Sequence, residues 1–253
     1  MKSELEQICD LVRECGQFIK DADRSQLHVD AKGGHANFVT EYDKQVQERL
    51  RVGLRAIMPD AHFVGEEGTT QAFAPTGKFF IVDPIDGTTN FIKDYHFSCI
   101  SVALVVDNAA EFGAIYNPYT DEMFYAQRGH GAFCNGKRLH VSSEPLENAI
   151  VVFGTAPYHE ELNEKTFSLA YSYFGKALDI RRSGSAALDL CTIAAGRAEL
   201  FFELVLSPWD YAAGALIVEE AGGLVSDCDG HPLAYDRPCS VLARNKVIQP
   251  LFG

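Results

Sequence analysis

The stretch Phe79-Phe80-Ile81-Val82-Asp83-Pro84-Ile85-Asp86-Gly87-Thr88-Thr89-Asn90 runs from an apolar strand straight into acid. Four apolar residues in a row predict a buried strand. Pro84 has no amide hydrogen and is expected to break the strand ladder there, leaving the Ile85 carbonyl free to act as a ligand. Asp83 and Asp86, on either side of a proline turn, are placed to approach one metal pair. Gly87 permits a tight turn, and the amides of Gly87, Thr88 and Thr89 can face an anion at a helix start. The Thr88 hydroxyl can orient a water. Asp-Pro and Asp-Gly are also ordinary turn dipeptides, so this stretch alone leaves both readings open.

A second strand ends the same way: His62-Phe63-Val64 leads into Gly65-Glu66-Glu67. Carboxylates that converge repel one another and need cations to coexist. Oxygen-only donors suit Mg²⁺ or Mn²⁺ and suit zinc poorly. Read alone, Glu66-Glu67 is a solvated loop. Asp210, in Ser207-Pro208-Trp209-Asp210, sits where a helix should start. Ser207 is a good N-cap, Pro208 suits the first helical position, and an acid favours the positive helix end. A carboxylate at a helix start is equally well placed as a ligand. Arg181-Arg182-Ser183-Gly184-Ser185-Ala186-Ala187 opens another helix. Its small residues allow either close approach of a ligand or tight helix-sheet packing. Glu203 ends an apolar strand.

Around these motifs the chain is patterned as mixed α and β. Ser3-x-x-Glu6 is a capping box before a helix whose apolar face is Leu5, Ile8, Cys9, Val12, Cys15 and Ile19. Lys32 to Asn37 reads as a loop. Thr40 can cap a second helix, carried by Val46, Leu50, Leu54 and Ile57 and ended by Pro59. Strands follow at Cys99 to Val106, Glu111 to Tyr116 and Met123 to Gln127, with turns at Asp107-Asn108 and Asn117-Pro118. Gly129-x-Gly131 is weak as a dinucleotide fingerprint, since no helical pattern follows it. Ser142 to Pro145 marks a boundary, dividing the chain into 1–145 and 146–253. The second part alternates: strand Ala149 to Phe153, helix near Glu160 to Tyr173, strand near Leu178 to Arg181, helix Ser185 to Ala195, strand Leu200 to Glu203. Helix Pro208 to Ala221, strands at Leu224-Val225 and Val241 to Ala243, and a short terminal helix complete it. Such alternation predicts a parallel or mixed sheet covered by helices.

The bulk numbers restrict the partners. The 253 residues carry 22 Lys and Arg against 35 Asp and Glu, a formal net charge of −13. That balance argues against nucleic acid or an anionic membrane as the main partner. An acidic protein that binds a phosphorylated metabolite needs metal ions to reverse the local field. The seven cysteines are scattered, with no Cys-x-x-Cys, which fits reduced thiols in a cytoplasmic protein. No apolar run approaches the ~18 residues of a membrane span.

Taken together, the motifs resemble the inositol monophosphatase family. The resemblance rests on Gly65-Glu66-Glu67, on Asp83-Pro84-Ile85-Asp86-Gly87-Thr88-Thr89-Asn90-Phe91, and on the run from Trp209-Asp210 to Gly222-Gly223. Gly131-Ala132-Phe133-Cys134-Asn135-Gly136 and Gly184-Ser185-Ala186-Ala187 lie between them in the right order. The resemblance implies an α+β fold, a layered α-β-α-β-α sandwich. Its N-terminal sheet would be mostly antiparallel and its C-terminal sheet mixed α/β. It implies Glu66, Asp83 and the Ile85 carbonyl on a first Mg²⁺, and Asp83, Asp86 and Asp210 on a second. A third, weaker ion would sit on Glu66 and waters, with Mn²⁺ as a possible substitute throughout. Glu66 and Thr88 would position the attacking water, with Asp43 bonded to Thr88. Asp86 and the Gly87 and Thr88 amides would lie against the substrate and its phosphate. Gly184, Ser185, Ala186 and Glu203 would contact its alcohol part. Lys32 matches a family pattern in the N-terminal segment.

The implied activity is Mg²⁺-dependent, lithium-sensitive hydrolysis of a small phosphate monoester by a homodimer. Inositol monophosphate is the first candidate substrate. Fructose 1,6-bisphosphate or another sugar or nucleotide phosphate is the alternative, and a non-catalytic phosphometabolite-binding protein the second. The short gap between Glu67 and Asp83 disfavours bisphosphate nucleotidases, and Thr89-Asn90 resembles the inositol branch more than the histidinol branch. Ile92 to Phe97, Gly68 and Phe79-Phe80 depart from the common family pattern, which weakens the substrate assignment and leaves the ligands intact.

Overall fold

The computed structural model describes residues 2–33, 37–68 and 76–251, with backbone alone at 26, 31–33 and 37. Two helices come first, α1 (Glu4–Lys20) and α2 (Glu41–Ile57). Ser3 and Glu6 close the expected capping box on α1, and Thr40 and Asp43 close one on α2. Each such cap stabilises its helix by about 1 kcal/mol. Between them lie two short antiparallel strands, β1 (Val29–Gly33) and β2 (Asn37–Thr40). The segment from Lys32 to Asn37 is therefore not simply a loop; strand pairing reaches Gly33↔Asn37.

The larger sheet has seven strands: β3 (His62–Gly65), β4 (Lys78–Asp86), β5 (Cys99–Val106), β6 (Ala109–Asn117), β7 (Glu122–Gln127), β8 (Gly131–Cys134) and β9 (Lys137–Arg138). They lie in sequence order and pair antiparallel, except for the parallel pair β3 and β4. β5 and β6 meet at a two-residue turn in which Asp107 and Asn108 both have positive φ, 49° and 62°, the backbone that a tight hairpin favours. The amides of Gly129 and Gly131 donate to the Glu220 carboxylate at 2.8 and 2.7 Å, so that glycine pair serves an internal tie. A five-residue helix, α3 (Thr88–Ile92), follows β4.

The smaller sheet has five strands, β10 (Ile150–Phe153), β11 (Asp179–Arg181), β12 (Leu200–Leu206), β13 (Leu224–Ser226) and β14 (Cys239–Arg244), in the order β11-β10-β12-β14-β13. β10 is parallel to both β11 and β12, and β14 is antiparallel to β12 and β13, so the sheet is mixed. Its helices are α4 (Asn163–Tyr173), α5 (Ala186–Ala194) and α6 (Pro208–Glu220). No helix forms over residues 245–251, where a short terminal one was expected. Asn245 organises that segment instead, its Oδ1 accepting from the amides of Val247 and Ile248 at 3.0 and 2.9 Å.

The core explains the layering. β4 is apolar on both faces, and successive side chains of a strand point opposite ways. Phe80 and Val82 pack with Ile8 and Val12 of α1 and Val46 and Leu50 of α2. Phe79 and Ile81 pack with Leu190 of α5 and Leu216 of α6, and so with Phe201 and Val241 of the smaller sheet. The far face of that sheet, Val151, Phe153 and Phe202, is covered by Ala170 and Tyr173 of α4. The result is α-β-α-β-α, with α5 and α6 as the shared middle layer. α6 is buried on almost every side, as an apolar helix without a polar face must be. It lies close to β6: a Cβ at Gly113 would stand 2.8 Å from the Ala213 carbonyl oxygen.

Candidate active site

The site is built where β4 ends, and a bulge decides its geometry. Residues three apart on a regular strand face opposite sides of the sheet. Asp83 pairs with Ser101 and Asp86 with Cys99, so three steps on β4 match two on β5. The extra residue restores the phase, and both carboxylates emerge on the face toward α5 and α6. Ile85 turns to the opposite side and is fully buried with Phe80 and Val82. Pro84 therefore does not end the strand; β4 continues through it to Asp86 with its register shifted.

Asp83 folds back on the turn, its Oδ1 accepting from the Ile85 amide at 2.9 Å. Asp86 is held by the start of α5. Its Oδ2 accepts from the Ser185 hydroxyl at 2.5 Å and from the Ala187 amide at 2.8 Å. Ser185 is the N-cap of α5, accepting from the Leu188 amide at 3.3 Å. Asp210 stands in the first turn of α6, joined to β12 through Ser207, and its Oδ2 accepts from the Ser207 amide at 2.7 Å. The capping and the site readings of Asp210 thus coexist in one side chain.

One carboxylate oxygen from each of Asp83, Asp86 and Asp210 lies within 4.8 Å of the other two. No ion pair joins these three to a lysine, arginine or histidine among the described residues. Burial, and then repulsion from Glu66, Asp86 and Asp210, push the Asp83 carboxyl well above the usual range. Asp210 is pushed well up by burial and by Asp86 and Glu66. Asp86 rises only to about 6, because burial is offset by its bonds to Ser185 and Ala187. Three crowded oxygen donors that resist ionisation are a set a hard divalent cation would complete, so the residues present fit Mg²⁺ or Mn²⁺.

Gly87 precedes α3 with φ +86°. A Cβ there would lie 3.0 Å from the Phe97 carbonyl and 3.1 Å from that of Gly184, so backbone conformation and space both call for glycine. The Thr88 hydroxyl reaches the Ile85 carbonyl at 3.1 Å and Asp43 Oδ1 at 3.4 Å. The Ile85 carbonyl therefore has a partner, with a lone pair left over. Asp43 is fully buried, its Oδ2 taken by the Thr40 amide and hydroxyl at 2.8 and 2.6 Å. Burial raises its carboxyl to about 7.

A cleft of about 430 Å³ is lined by Glu66, Asp83, Ile85, Asp86, Gly87, Thr88, Gly184, Ser185, Ala186, Glu203 and Asp210. The structure thus brings every site residue of the sequence reading to one cavity except Asp43, which lies behind Thr88, and Lys32, whose side chain falls outside the described residues. Glu203 is buried in the wall of this cleft, its Oε1 accepting from the Ala156 amide at 2.8 Å. Burial raises it to about 7.

Sequence reasoning missed several lining residues. Gly154 leaves the space that the Glu203 carboxylate occupies, since a Cβ there would collide with it. Asp189 lines the cleft one turn into α5, bonded to the Ser183 hydroxyl at 2.5 Å. Arg182 lines it as well, donating to the Thr155 hydroxyl at 3.1 Å. Phe38, Tyr158, His159 and Trp209 add aromatic wall. Trp209 opens a signature run and Arg182 stands in the segment before α5, though neither was singled out as lining the site; the others carried no signal beyond residue type.

Comparison with known proteins gives the chemistry a context. The model of the inositol monophosphatase family matches residues 1–252. Inositol monophosphatase 2 of Solanum lycopersicum is 40% identical over 228 residues, 86% of this chain and 84% of that protein. The Nus factor SuhB of Vibrio cholerae is 35% identical over 220 residues, 86% and 82% of the two chains. Among solved structures, the extragenic suppressor protein suhB of Bartonella henselae superposes with a TM-score of 0.87 at 34% identity, covering 94% of this chain and 92% of that one. Fold and relatives define a phosphoric monoester hydrolase. The chain belongs to the inositol monophosphatase family.

Proposed function

We propose that this enzyme hydrolyses a small phosphate monoester, inositol monophosphate first among them, by direct in-line attack of water. The convergence of the Asp83, Asp86 and Asp210 carboxylates within 4.8 Å of one another carries this reading. Glu66, Asp83, the Ile85 carbonyl, Asp86 and Asp210 would hold Mg²⁺, two to three ions in all, or Mn²⁺ in its place. Bound there, the ions would polarise the phosphoryl oxygens, acidify the attacking water and stabilise the departing alkoxide.

The chain's own groups do the positioning. Thr88, donating its hydroxyl proton to Asp43 or to the Ile85 carbonyl, presents a lone pair to the water. Asp43, raised to about 7, can accept that proton near neutrality. The Gly87 and Thr88 amides at the start of α3 would receive phosphate oxygens. The new bond joins the water oxygen to phosphorus while the ester P–O bond breaks, and the alcohol leaves with a proton. Glu203, with Gly184, Ser185 and Ala186 around it, would take the alcohol's hydroxyls. We read 1–145 as the half that brings Glu66 to Thr88, and 146–253 as the half that brings Asp210 and the alcohol contacts.

One observation favours a second substrate. Arg182 places a cation in the same cleft as Glu203, which would suit an alcohol with a second anionic group, such as a sugar bisphosphate. The net charge of −13 supports a small metabolite over nucleic acid as partner, although one relative bears the name Nus factor.

Phosphate release should be measured with inositol 1-phosphate, fructose 1,6-bisphosphate, histidinol phosphate, a nucleotide bisphosphate and NADP, each with Mg²⁺ and with Mn²⁺. We expect inositol 1-phosphate to lead, no turnover without divalent metal, and inhibition by millimolar lithium. Asp83→Asn should fall below about 1% of wild-type turnover without unfolding. Full activity in that variant, or turnover in a chelator, would end the metal assignment.

A further inference from the structure

We infer that Gln47 is the positioning residue that holds Glu66 in the cleft; this rests on the reading of Glu66 as a ligand. β3 ends the seven-stranded sheet and pairs with β4 alone among the described residues. Its ladder stops at Gly65↔Val82, after which the Glu66 amide donates once more to the Val82 carbonyl, at 3.2 Å. Among the described residues, no strand of the sheet pairs with the next residue. The side-chain amide of Gln47 takes that place. Gln47 Oε1 accepts from the Glu67 amide at 2.8 Å, and its Nε2 donates to the Glu67 carbonyl at 2.6 Å. One side chain thus satisfies both backbone groups of a residue, as a neighbouring strand would.

Glu66 is consequently bracketed. Its own amide is tied to β4, and the following residue is tied to α2. Gly65 belongs to the same arrangement: a Cβ there would run into the Gln47 amide, so the glycine before Glu66 leaves the passage the clamp uses. Gln47 lies one turn beyond Asp43 on α2, on the same side of the helix, and Asp43 receives the Thr88 hydroxyl at 3.4 Å. A single helix therefore reaches both acid-bearing segments, one through each side chain. A glutamate has several rotatable bonds. A ligand built on it holds its position only if its backbone is fixed, and removing the partners that orient a ligand costs about 10–100-fold in metal affinity.

A merely structural clamp would lower stability and leave the site alone, so the test uses metal binding without turnover. Mn²⁺ binding to the full-length protein should be followed by the EPR signal of free Mn²⁺, without substrate, for wild type, Gln47→Leu, Gln47→Glu, Glu66→Gln and the Gln47→Leu/Glu66→Gln double variant. Thermal melts of the metal-free proteins run alongside. We expect Gln47→Leu to weaken Mn²⁺ binding about tenfold. Gln47→Glu keeps the acceptor and loses the donor, so it should fall between, and it carries the test if the leucine variant does not fold. In the Glu66→Gln background, Gln47→Leu should add nothing, because residues that act through one group are not additive. Unchanged Mn²⁺ binding in Gln47→Leu beside a weakened Glu66→Gln would overturn the clamp alone. An equal further loss in the double variant would do the same. Wild-type binding by Glu66→Gln would remove Glu66 from the ligand set and the clamp with it.

Discussion

Glu203 is held by its neighbours at both oxygens' ends: the Ala156 amide bonds Oε1, and the bare Cα of Gly154 leaves room for the rest of the carboxylate. Its contribution depends on a residue that has no side chain. Gly154→Ala should therefore behave as Glu203→Gln does. Both should lower kcat/KM for a polyol phosphate about tenfold or more, the scale of a lost hydrogen bond to a charged group, and affect an aryl phosphate much less. An equal loss on both substrates would remove Glu203 from alcohol recognition. The same economy governs Gly87, whose φ of +86° and contacts of 3.0–3.3 Å make any Cβ strained and tight. At this scale the acids that meet in the cleft were legible in the chain. Glu66, Asp83, Asp86 and Asp210 stand in motifs at strand and helix ends, each an ordinary turn, loop or cap when read alone and specific only as a set. Gly154, Arg182 and Asp189 were not legible, because what makes them relevant is the cleft they share with residues far along the chain.

At the scale of elements, the register shift in β4 and the N-terminus of α5 do the positioning. The shift between Asp83 and Asp86 puts two carboxylates on one face, and α5 then fixes the second of them through Ser185 and Ala187. Ser185 both caps α5 and donates to Asp86. Ser185→Ala should cost about 1–2 kcal/mol in urea unfolding. It should also raise the Mg²⁺ concentration for half-maximal activity, since Asp86 would lose the Ser185 hydroxyl that bonds its Oδ2 at 2.5 Å. Lowered stability with an unchanged Mg²⁺ requirement would confine Ser185 to capping. The helices were largely readable from period and caps: α1, α2, α5 and α6 lie within a residue or two of their expected bounds. The bulge was not readable, because a proline announces a break in pairing but cannot say that the ladder resumes two residues later. β1 escaped notice because its five residues, Val29 to Gly33, include two charged ones and end in glycine.

At the scale of the whole molecule, two sheets are pressed onto one pair of helices, and the acids collect where the layers meet. Without cations that arrangement opposes folding at high pH. Asp43 and Glu203 both sit near 7 in the folded protein, raised by burial from ordinary values of 3.8 and 4.5. A raised carboxyl binds more protons folded than unfolded, so its stabilisation is complete below about pH 4 and is lost as pH rises through about 7. Exposed carboxylates held low by ion pairs, such as Asp60 with Lys78, act in the opposite direction but weakly. The metal-free protein should thus melt on the order of 5–10 °C lower at pH 8 than at pH 5, and Mg²⁺ should restore the difference at pH 8. A melting temperature that climbs with pH in chelator would contradict this. The outer surface carries a second expectation. Phe167 and Tyr171 on α4 are exposed, as are Phe174 and Leu178 just beyond, and an apolar stripe of this kind marks a contact surface. We expect this surface to join two copies of the chain: light scattering should give a dimer for the wild type and a monomer for Tyr171→Glu. A Tyr171→Glu dimer would place the interface elsewhere.

The sequence by itself determined the reaction class, because the acid motifs, none decisive alone, stand together in the order that the inositol monophosphatase family carries. It also determined the mixed α and β character, through periods of two and of about 3.6 that each segment carries locally. The tertiary structure decided the rest: that the β4 bulge turns Asp83 and Asp86 to one side, that α5 claims one oxygen of Asp86, that Gly154 admits Glu203, and that Gln47 reaches the backbone beyond Glu66. Each of these is a contact between segments distant in the chain. Local propensity has no term for such contacts, and only the packing of one layer on another brings them about.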